Sequence, residues 1–349
     1  MTRLRLFAAR ALAIVLGAGT AGLAGELVAR ARFEAPLPER LPLLEVQANL
    51  QRGWEMVPGQ DHFTYHHPVQ VNALGLRGPE LEAKRPGEFR VLALGDSLVY
   101  GQGVAGDQTL PFHLEQVLDE RLERSVTVVN GGLRAYSTVQ ELGLLRELGT
   151  AVDPDLVVLF WYWNDIDWID PVPYAERLEQ IDPIAFDLRA KPEGWPLFKW
   201  RVKQLLRRSV LLMVVHDTLR DSTQELEWLA RADERLAALP GQLEEFRSLS
   251  EALGARFVVC AIPKASSLAG EDMSTPIVRR AIETCAAAGI ELRLLDEELR
   301  RTMSTSGRLP LVPYDGHYDG AGNRALATDA ALWLAESGAL DDPVGDAGE

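Results

Sequence analysis

From residue 90 onwards, short apolar runs rich in β-branched residues alternate with longer segments of helical periodicity. The runs are "RVLAL" (90–94), "VTVVN" (126–130), "DLVVLFW" (155–161), "RFVVCAI" (256–262) and "IELRLL" (290–295). The helical segments are 110–124, 140–149, 224–253, 277–289 and 320–337. Continuous apolar runs are typical of strands buried on both faces, and strand–helix alternation is typical of a parallel sheet covered by helices. The pattern predicts an α/β protein with a doubly wound, five-stranded parallel sheet.

The third connection is much longer than a crossover needs, and residues 166–222 are predicted to be an insertion. It could shape or cap a cleft, serve packing, or form a surface near a membrane. Residues 33–88, rich in Pro, His and turns, are predicted to be an extended lead-in that packs on the core domain of residues 89–340. Residues 341–349 form an acidic tail.

The N-terminal segment has the charge pattern of an export signal. Three arginines (Arg3, Arg5 and Arg10) precede an uncharged run of residues 11–25, and Glu26 follows it. Fifteen residues fit a signal-peptide core, whereas a bilayer span takes about 20. Residues 1–32 are therefore predicted to be a signal peptide or signal-anchor helix. The protein is expected in the periplasm or on the outer face of the cytoplasmic membrane, anchored there or released by cleavage. The alternative is an ordinary amphipathic or buried helix.

Composition narrows the classes of partner. The chain has 349 residues, 47% of them apolar, and a formal charge of −15 without a long basic run, so nucleic acid is not an expected partner. No cofactor and no metal are expected. The metal alternatives, "HFTYHHP" or the aspartates at 165, 167 and 170, lack a closed ligand set with known spacing. The oligomeric state stays open.

Candidate chemistry follows the strands, because ligands of open α/β sheets bind at the carboxyl ends of the strands. Ser97 comes just after the first strand, where the next helix begins and its first amides have no helical partner. A serine needs a base that a carboxylate orients. Of six histidines, three lie in the lead-in and two in helical segments. His317, in "YDGHYDGAGN" with Asp315 two residues earlier, is the remaining candidate.

Four blocks in order carry a family resemblance: "GDSL" (95–98), "VNGGLRAYS", "YWND" and "DGHYDGAGN". The chain resembles the SGNH (GDSL-type) hydrolases, which are esterases, lipases and carbohydrate deacetylases, over about residues 75–336. The lead-in "VNALGLRGPE" is similar to that of large bacterial members with an export or anchor segment. The resemblance implies a three-layer α/β/α flavodoxin-like fold with a five-stranded parallel sheet. It also implies hydrolysis of a carboxylic ester, in a small molecule, a lipid or an O-acetylated glycan.

The resemblance also implies site roles. Ser97 would be the nucleophile, His317 the general base and then acid, and Asp315 its orienting partner. The oxyanion hole would comprise the amides of Ser97 and Ala135 and the side-chain amide of Asn164.

Three positions depart from the family pattern. Ala135 stands where the family usually has glycine, with Gly132 as a weaker substitute for its amide. Tyr162 replaces the glycine that begins the third block, which would narrow the acyl pocket. The orienting aspartate usually lies three residues before the histidine, where this chain has Tyr314. Asp315 is one residue closer, and Asp319 is the fallback orienter.

Other classes of function fit less well. The glycines of "GQGVAG" (101–106) begin too far beyond the strand for a dinucleotide-binding loop. The G-x-S-x-G elbow of α/β-hydrolases is absent because Val99 takes the place of its last glycine. An O-acyltransferase of the same fold and a non-catalytic glycan-binding scaffold of the cell envelope remain alternatives.

Overall fold

The computed structural model describes residues 2–166, 171–177, 192–219, 223–270, 272 and 274–341. Residues 342–349 of the predicted tail and three parts of the predicted insertion (167–170, 178–191 and 220–222) lie outside the described residues. The chain divides into two compact units. The first comprises Met1–Pro38, Pro192–Asp221 and Pro313–Asp315, and the second comprises Glu39–Lys191, Ser222–Val312 and Gly316–Glu349.

A five-stranded parallel sheet forms the centre of the second unit. Its strands are β5 (Phe89–Gly95), β6 (Val126–Gly132), β7 (Leu156–Trp161), β8 (Arg256–Ala261) and β9 (Leu292–Leu294), in the spatial order β6-β5-β7-β8-β9. Counted along the chain within the sheet, this is the order 2-1-3-4-5 of flavodoxin-like folds, with the switch point beside β5. The predicted parallel sheet is confirmed.

Two helical layers cover the sheet. Side chains of β5 alternate between them: Leu92 and Leu94 belong to one apolar core, and Val91 and Ala93 to the other. The first core is closed by α4 (Thr138–Val152), α8 (Thr223–Leu236), α9 (Leu239–Ala252) and α11 (Ser274–Ala287). The second is closed by α2 (Ser97–Tyr100), α3 (Leu110–Arg121), α10 (Ala265–Ala269), α12 (Glu297–Ser306) and α13 (Gly320–Glu336). The three-layer α/β/α flavodoxin-like fold is thereby confirmed.

Some element boundaries differ from those expected from the pattern. The segment 224–253, predicted as one helix, is α8 and α9, and Pro240 lies in the first turn of α9. Proline is tolerated there because the first-turn amides have no intrahelical acceptor. Helix α12 was not predicted.

The lead-in contributes two antiparallel hairpins to the second unit. They are formed by β1 (Val46–Asn49) with β2 (Gly53–Met56), and by β3 (Asp61–Thr64) with β4 (His67–Gln70). Trp54 and Met56 of β2 join the apolar core beneath α4, and the Tyr136 hydroxyl donates to the carbonyl of Trp54 at 2.5 Å. Helix α5 (Pro171–Arg177) contacts the first hairpin.

The first unit consists mainly of helices. They are α1 (Thr2–Arg32), α6 (Gly194–Arg207) and α7 (Val210–Thr218). Of the described helices, α1 is the one long and apolar enough to cross a membrane, with a mean hydropathy of 1.7 over its most apolar window within Arg5–Arg32. Its C-terminal part packs against α7.

Candidate active site

Ser97 begins the short helix α2 directly beyond strand β5, next to the switch point of the sheet. Gly95 makes this turn possible, because a Cβ there would lie 2.4 Å from Val99 Cγ2. Asp96 caps the helix: its Oδ1 accepts from the amide of Leu98 at 2.8 Å. Aspartate is a favoured residue at this capping position, and the cap leaves Ser97 at the first helical position. Within the described part of the chain, the amide of Ser97 forms no hydrogen bond.

Arg77, from the lead-in motif "GLRGPE", fixes the other end of α2. Its guanidinium is almost fully buried and donates to the carbonyls of Tyr100 (2.8 Å), Gly101 (2.7 Å) and Val104 (2.9 Å). A cation at this end also interacts favourably with the partial negative charge of the helix terminus. Arg77 is therefore a positioning residue for α2, and sequence reasoning did not single it out.

His317 lies beside Ser97, although 220 residues separate them in the chain. Its Nε2 is 2.7 Å from Ser97 Oγ, whereas Oγ is 3.4 Å from Asp96 Oδ2. The shorter distance makes the imidazole the stronger partner of the hydroxyl. The loop of His317 is fixed by Tyr318, whose hydroxyl donates to the carbonyl of Pro263 at 2.7 Å, and by the amide of Val312, which donates to the His317 carbonyl at 2.8 Å.

The two aspartates considered as orienters of His317 have different settings. Asp319 caps α13, where its Oδ1 accepts from the amides of Ala321 and Gly322 at 2.9 and 3.0 Å, and its Oδ2 pairs with Arg308 at 3.1 Å. Asp315 is half-buried in the turn that precedes His317. The capping hydrogen bonds of Asp319 argue against Asp319 as the orienting partner of His317. That Asp315 orients His317 stays a prediction.

Ala135 is the residue of the second block with an unusual backbone. It is exposed, with φ of 60°, in the turn between β6 and α4. This left-handed conformation explains why glycine suits the position. The Ala135 amide donates no hydrogen bond among the described residues, whereas the amide of Gly132 is bound to Asn130 Oδ1 at 3.0 Å. Ala135, and not Gly132, therefore has a donor to offer a ligand.

Asn164 and Asp165 follow β7 and have different partners. The Asn164 side-chain amide hydrogen-bonds the carboxylate of Asp96, while its Oδ1 is buried without a partner among the described residues. Asp165 Oδ2 accepts from the amide of Tyr162 at 2.5 Å, and the Asp165 carbonyl accepts from Thr138 at the start of α4. Asp165 thus fixes the loop that carries Asn164.

A group of three buried carboxyls lies behind the site: Asp96, Glu141 and Asp165. Burial raises the pKa of Asp96, against the opposing effects of the Leu98 amide, His317, and the hydrogen bonds of Asn164 and Ser97. Burial raises the pKa of Glu141 and of Asp165 far more, and mutual repulsion adds to it. Both Glu141 oxygens lack a partner among the described residues. Sequence reasoning missed Glu141. Its one signal was a glutamate among the apolar positions of a predicted helix.

The "GQGVAG" loop, considered for dinucleotide binding, and the histidine-rich lead-in, considered for metal binding, both have structural explanations. Gly101, with φ of 86°, ends α2, and Gly103 packs against Val312, so the "GQGVAG" loop is a helix terminus. His62, from the histidine-rich lead-in, is buried with Nε2 2.6 Å from the Tyr100 hydroxyl. Burial, followed by the charges of Arg77 and Arg134, lowers the pKa of His62 to about 3, which favours a neutral packing residue.

Several solved structures are similar to this chain. One is TesA (16% identity, 70% of this chain and 97% of that chain, TM-score 0.39). A lipase/acylhydrolase from Enterococcus faecalis has 14% identity, covers 71% and 96%, and has a TM-score of 0.39. A two-domain esterase active on acetylated mannans has 10% identity, covers 74% and 52%, and has a TM-score of 0.42. Comparison with curated proteins finds no match.

Family membership rests on the sequence match and not on these structural likenesses. The sequence model of the GDSL-like lipase/acylhydrolase family matches residues 93–325, from within β5 to within α13. This match includes every predicted site residue and more than half of the 349 residues. The chain belongs to the GDSL-like lipase/acylhydrolase family and is a hydrolase that acts on ester bonds.

Proposed function

We propose that the protein is a serine esterase that cleaves a carboxylic ester through an acyl-enzyme on Ser97. The distance of 2.7 Å between Ser97 Oγ and His317 Nε2 carries this proposal, because a base must reach the proton that it removes. In acylation, Nε2 takes the hydroxyl proton while Oγ attacks the ester carbonyl carbon. The protonated imidazole then donates to the departing alkoxide oxygen. Asp315 holds the imidazole in the tautomer with Nε2 unprotonated.

Three donors are proposed to stabilise the oxyanion: the amides of Ser97 and Ala135 and the side-chain amide of Asn164. The absence of other partners for the two backbone amides among the described residues supports their role. An amide NH₂ has two hydrogens, so the bond to Asp96 leaves Asn164 one to donate. The buried carboxylate of Asp96 orients this side chain before substrate arrives, and preorganised donors are the main source of such stabilisation.

Deacylation repeats these steps with water in place of the serine. His317 Nε2 removes a proton from water, the hydroxide oxygen bonds to the acyl carbon, and the proton returns to Ser97 Oγ as the carboxylic acid leaves. An alcohol in place of water would make the same machinery an O-acyltransferase. The proposed substrates are short esters, including O-acetyl groups of a glycan, with a lipid ester as the alternative.

We further propose that α1 keeps the enzyme on the membrane after export. Glu26, just beyond the uncharged run, accepts hydrogen bonds from Ser209 Oγ at 2.7 Å and from the amides of Val210 and Leu211 at 3.1 Å. These contacts tie α1 to α7 and support retention of the helix over its removal as a signal peptide.

The test is hydrolysis of p-nitrophenyl acetate by the full-length protein in detergent. We expect Ser97→Ala and His317→Ala each to lower kcat by about 10⁴-fold or more, as loss of a triad member does. Matched controls are Ser304→Ala and His216→Ala, which change exposed residues of α12 and α7 and should leave the rate unchanged. A Ser97→Ala variant as active as its control would end the proposal.

The orienting role of Asp315 needs its own comparison. Asp315→Asn should lower kcat by about 10⁴-fold with little change in KM, since the amide favours the wrong tautomer. Asp319→Asn should chiefly lower stability, because Asp319 caps α13. The reverse pattern would transfer the role to Asp319.

Product analysis with added alcohols and with O-acetylated glycans separates hydrolysis from acyl transfer. Free acetate as the sole product supports the esterase. An acetylated alcohol as the main product supports the acyltransferase.

A further inference from the structure

Helix α6 carries an exposed apolar stripe along one face. Its members are Trp195, Phe198, Val202, Leu205 and Leu206, and all are exposed, from 39% for Val202 to 64% for Trp195 and Leu205. At about 100° per residue these positions fall within one sector of about 100° on the helix surface. A helix of a globular protein normally turns such a stripe toward the core.

The stripe is not the face by which α6 packs. Leu197, Trp200 and Gln204 lie on the opposite side of the helix and are half-buried within the first unit. Among the described residues, this leaves the stripe without a protein partner, since its five side chains are the exposed ones.

Basic residues border the stripe on both sides. Lys199 and Lys203 lie on one flank and Arg201 and Arg208 on the other, and all four are exposed. The described part of α6 carries no Asp or Glu. An apolar stripe bordered by Lys and Arg, with a tryptophan on the apolar side, is the pattern of a helix that lies in a membrane interface.

Helix α6 is tied to the end of the apolar helix α1. Arg208, at the C-terminal cap of α6, offers its carbonyl to Arg30 Nη2 at 2.6 Å. Directly after it, the first amides of α7 and Ser209 Oγ donate to Glu26 of α1. Helix α7 thereby gains a carboxylate for amides that its first turn leaves unpaired, and α6 is fixed beside the point where the uncharged run of α1 ends.

We propose that α6 lies flat in the interface of the same bilayer that α1 enters, with its apolar stripe among the lipid chains and its basic flanks on anionic headgroups. This inference rests on the proposal that α1 is retained as an anchor. Two features favour lipid over a protein partner: the cationic flanks complement anionic headgroups, and the stripe lies next to the end of a helix that itself has the composition of a bilayer span.

The test places an environment-sensitive fluorophore on the stripe of the full-length protein in vesicles of phosphatidylcholine and phosphatidylglycerol. Phe198→Cys carries the label, and Glu244→Cys, at an exposed site on α9, is the control. The native thiols Cys260 and Cys285 are buried, so labelling is directed to the introduced cysteine.

We expect the label at position 198 to be quenched by lipids with brominated acyl chains and shielded from aqueous iodide, with the reverse at position 244. Replacing Lys199 and Lys203 with glutamine should lower the ratio of docked to undocked α6 about fivefold per lysine in anionic vesicles, and leave it unchanged in pure phosphatidylcholine.

Three outcomes would overturn the proposal. Equal iodide access at positions 198 and 244 would show an unoccupied stripe. Shielding from iodide without quenching by brominated lipid, rising with protein concentration, would show a second copy of the chain. If the protein does not float with vesicles, α1 is not a membrane anchor, and the proposal for α6 fails with it. Hydrolysis of p-nitrophenyl acetate, measured on the same vesicles, separates these results from a failure of the proposed esterase.

Discussion

Replacing Ala135 with glycine tests whether the backbone at this position of the second block has a left-handed conformation. Ala135 has φ of 60° and an exposed side chain, so the change removes backbone strain and little packing. A left-handed conformation costs an L-residue about 1–2 kcal/mol. Glycine in turn increases the entropy of the unfolded chain, which costs about 0.4–1 kcal/mol. The net expectation is a gain of about 0.5–1 kcal/mol in the free energy of unfolding.

The assay is thermal unfolding of the full-length protein in detergent. For a chain of 349 residues, the gain corresponds to a rise in Tm of about 1 °C. Ala230→Gly is the matched control: Ala230 is exposed within α8, where glycine costs about 0.5–1 kcal/mol and lowers Tm. The esterase activity of Ala135→Gly should stay within a few-fold of that of the native protein, because the backbone amide proposed as an oxyanion donor remains. A fall in Tm equal to that of the control would refute the left-handed geometry.

Three further predictions concern the groups around Ser97. Asn164→Ala should lower kcat about 10²–10³-fold through loss of an oxyanion donor, as measured on p-nitrophenyl acetate, and a normal rate would exclude that role. Gly132→Ala should destabilise the fold by about 1–3 kcal/mol or more, since its Cβ would lie 2.1 Å from the Tyr100 amide nitrogen; an unchanged Tm would contradict that packing. Burial raises the pKa of Glu141, so the stability it confers is present below the ordinary carboxyl pKa and is lost as pH rises through the raised pKa. The Tm of Glu141→Gln minus the Tm of the native protein should therefore increase with pH. A difference in Tm that does not change with pH would contradict this.

The sheet could be predicted from sequence because its strands are buried on both faces. Each of the five runs contains or overlaps a strand, and β5 spans Phe89–Gly95 around the predicted 90–94. Helix α12 was missed because Leu299 is its sole fully buried residue among exposed polar ones, so its apolar signal is weak. The split of α8 from α9 at Pro240 was available in the sequence, since a proline inside a helical pattern marks a boundary.

Within the site, the positions of residues after the strands predicted which side chains lie near one another. They did not predict which side chains form hydrogen bonds. Ser97 and Asn164 follow adjacent parallel strands, so their ends had to meet at one edge of the sheet. The contact of His317 with Ser97 depends on a loop after the last strand, whose path no periodicity encodes. The burial of Glu141 is likewise a tertiary property, because a glutamate in the first turn of a helix is ordinarily exposed and interacts favourably with the helix dipole.

Covalent labelling with a fluorophosphonate, followed by peptide mapping, tests the nucleophile most directly. The phosphorus atom is attacked by an activated serine oxygen, so the account predicts a single adduct on Ser97 in the native protein and a strong loss of labelling in His317→Ala. No adduct on Ser97, or equal labelling with and without His317, would contradict the claim that these two residues form the catalytic pair.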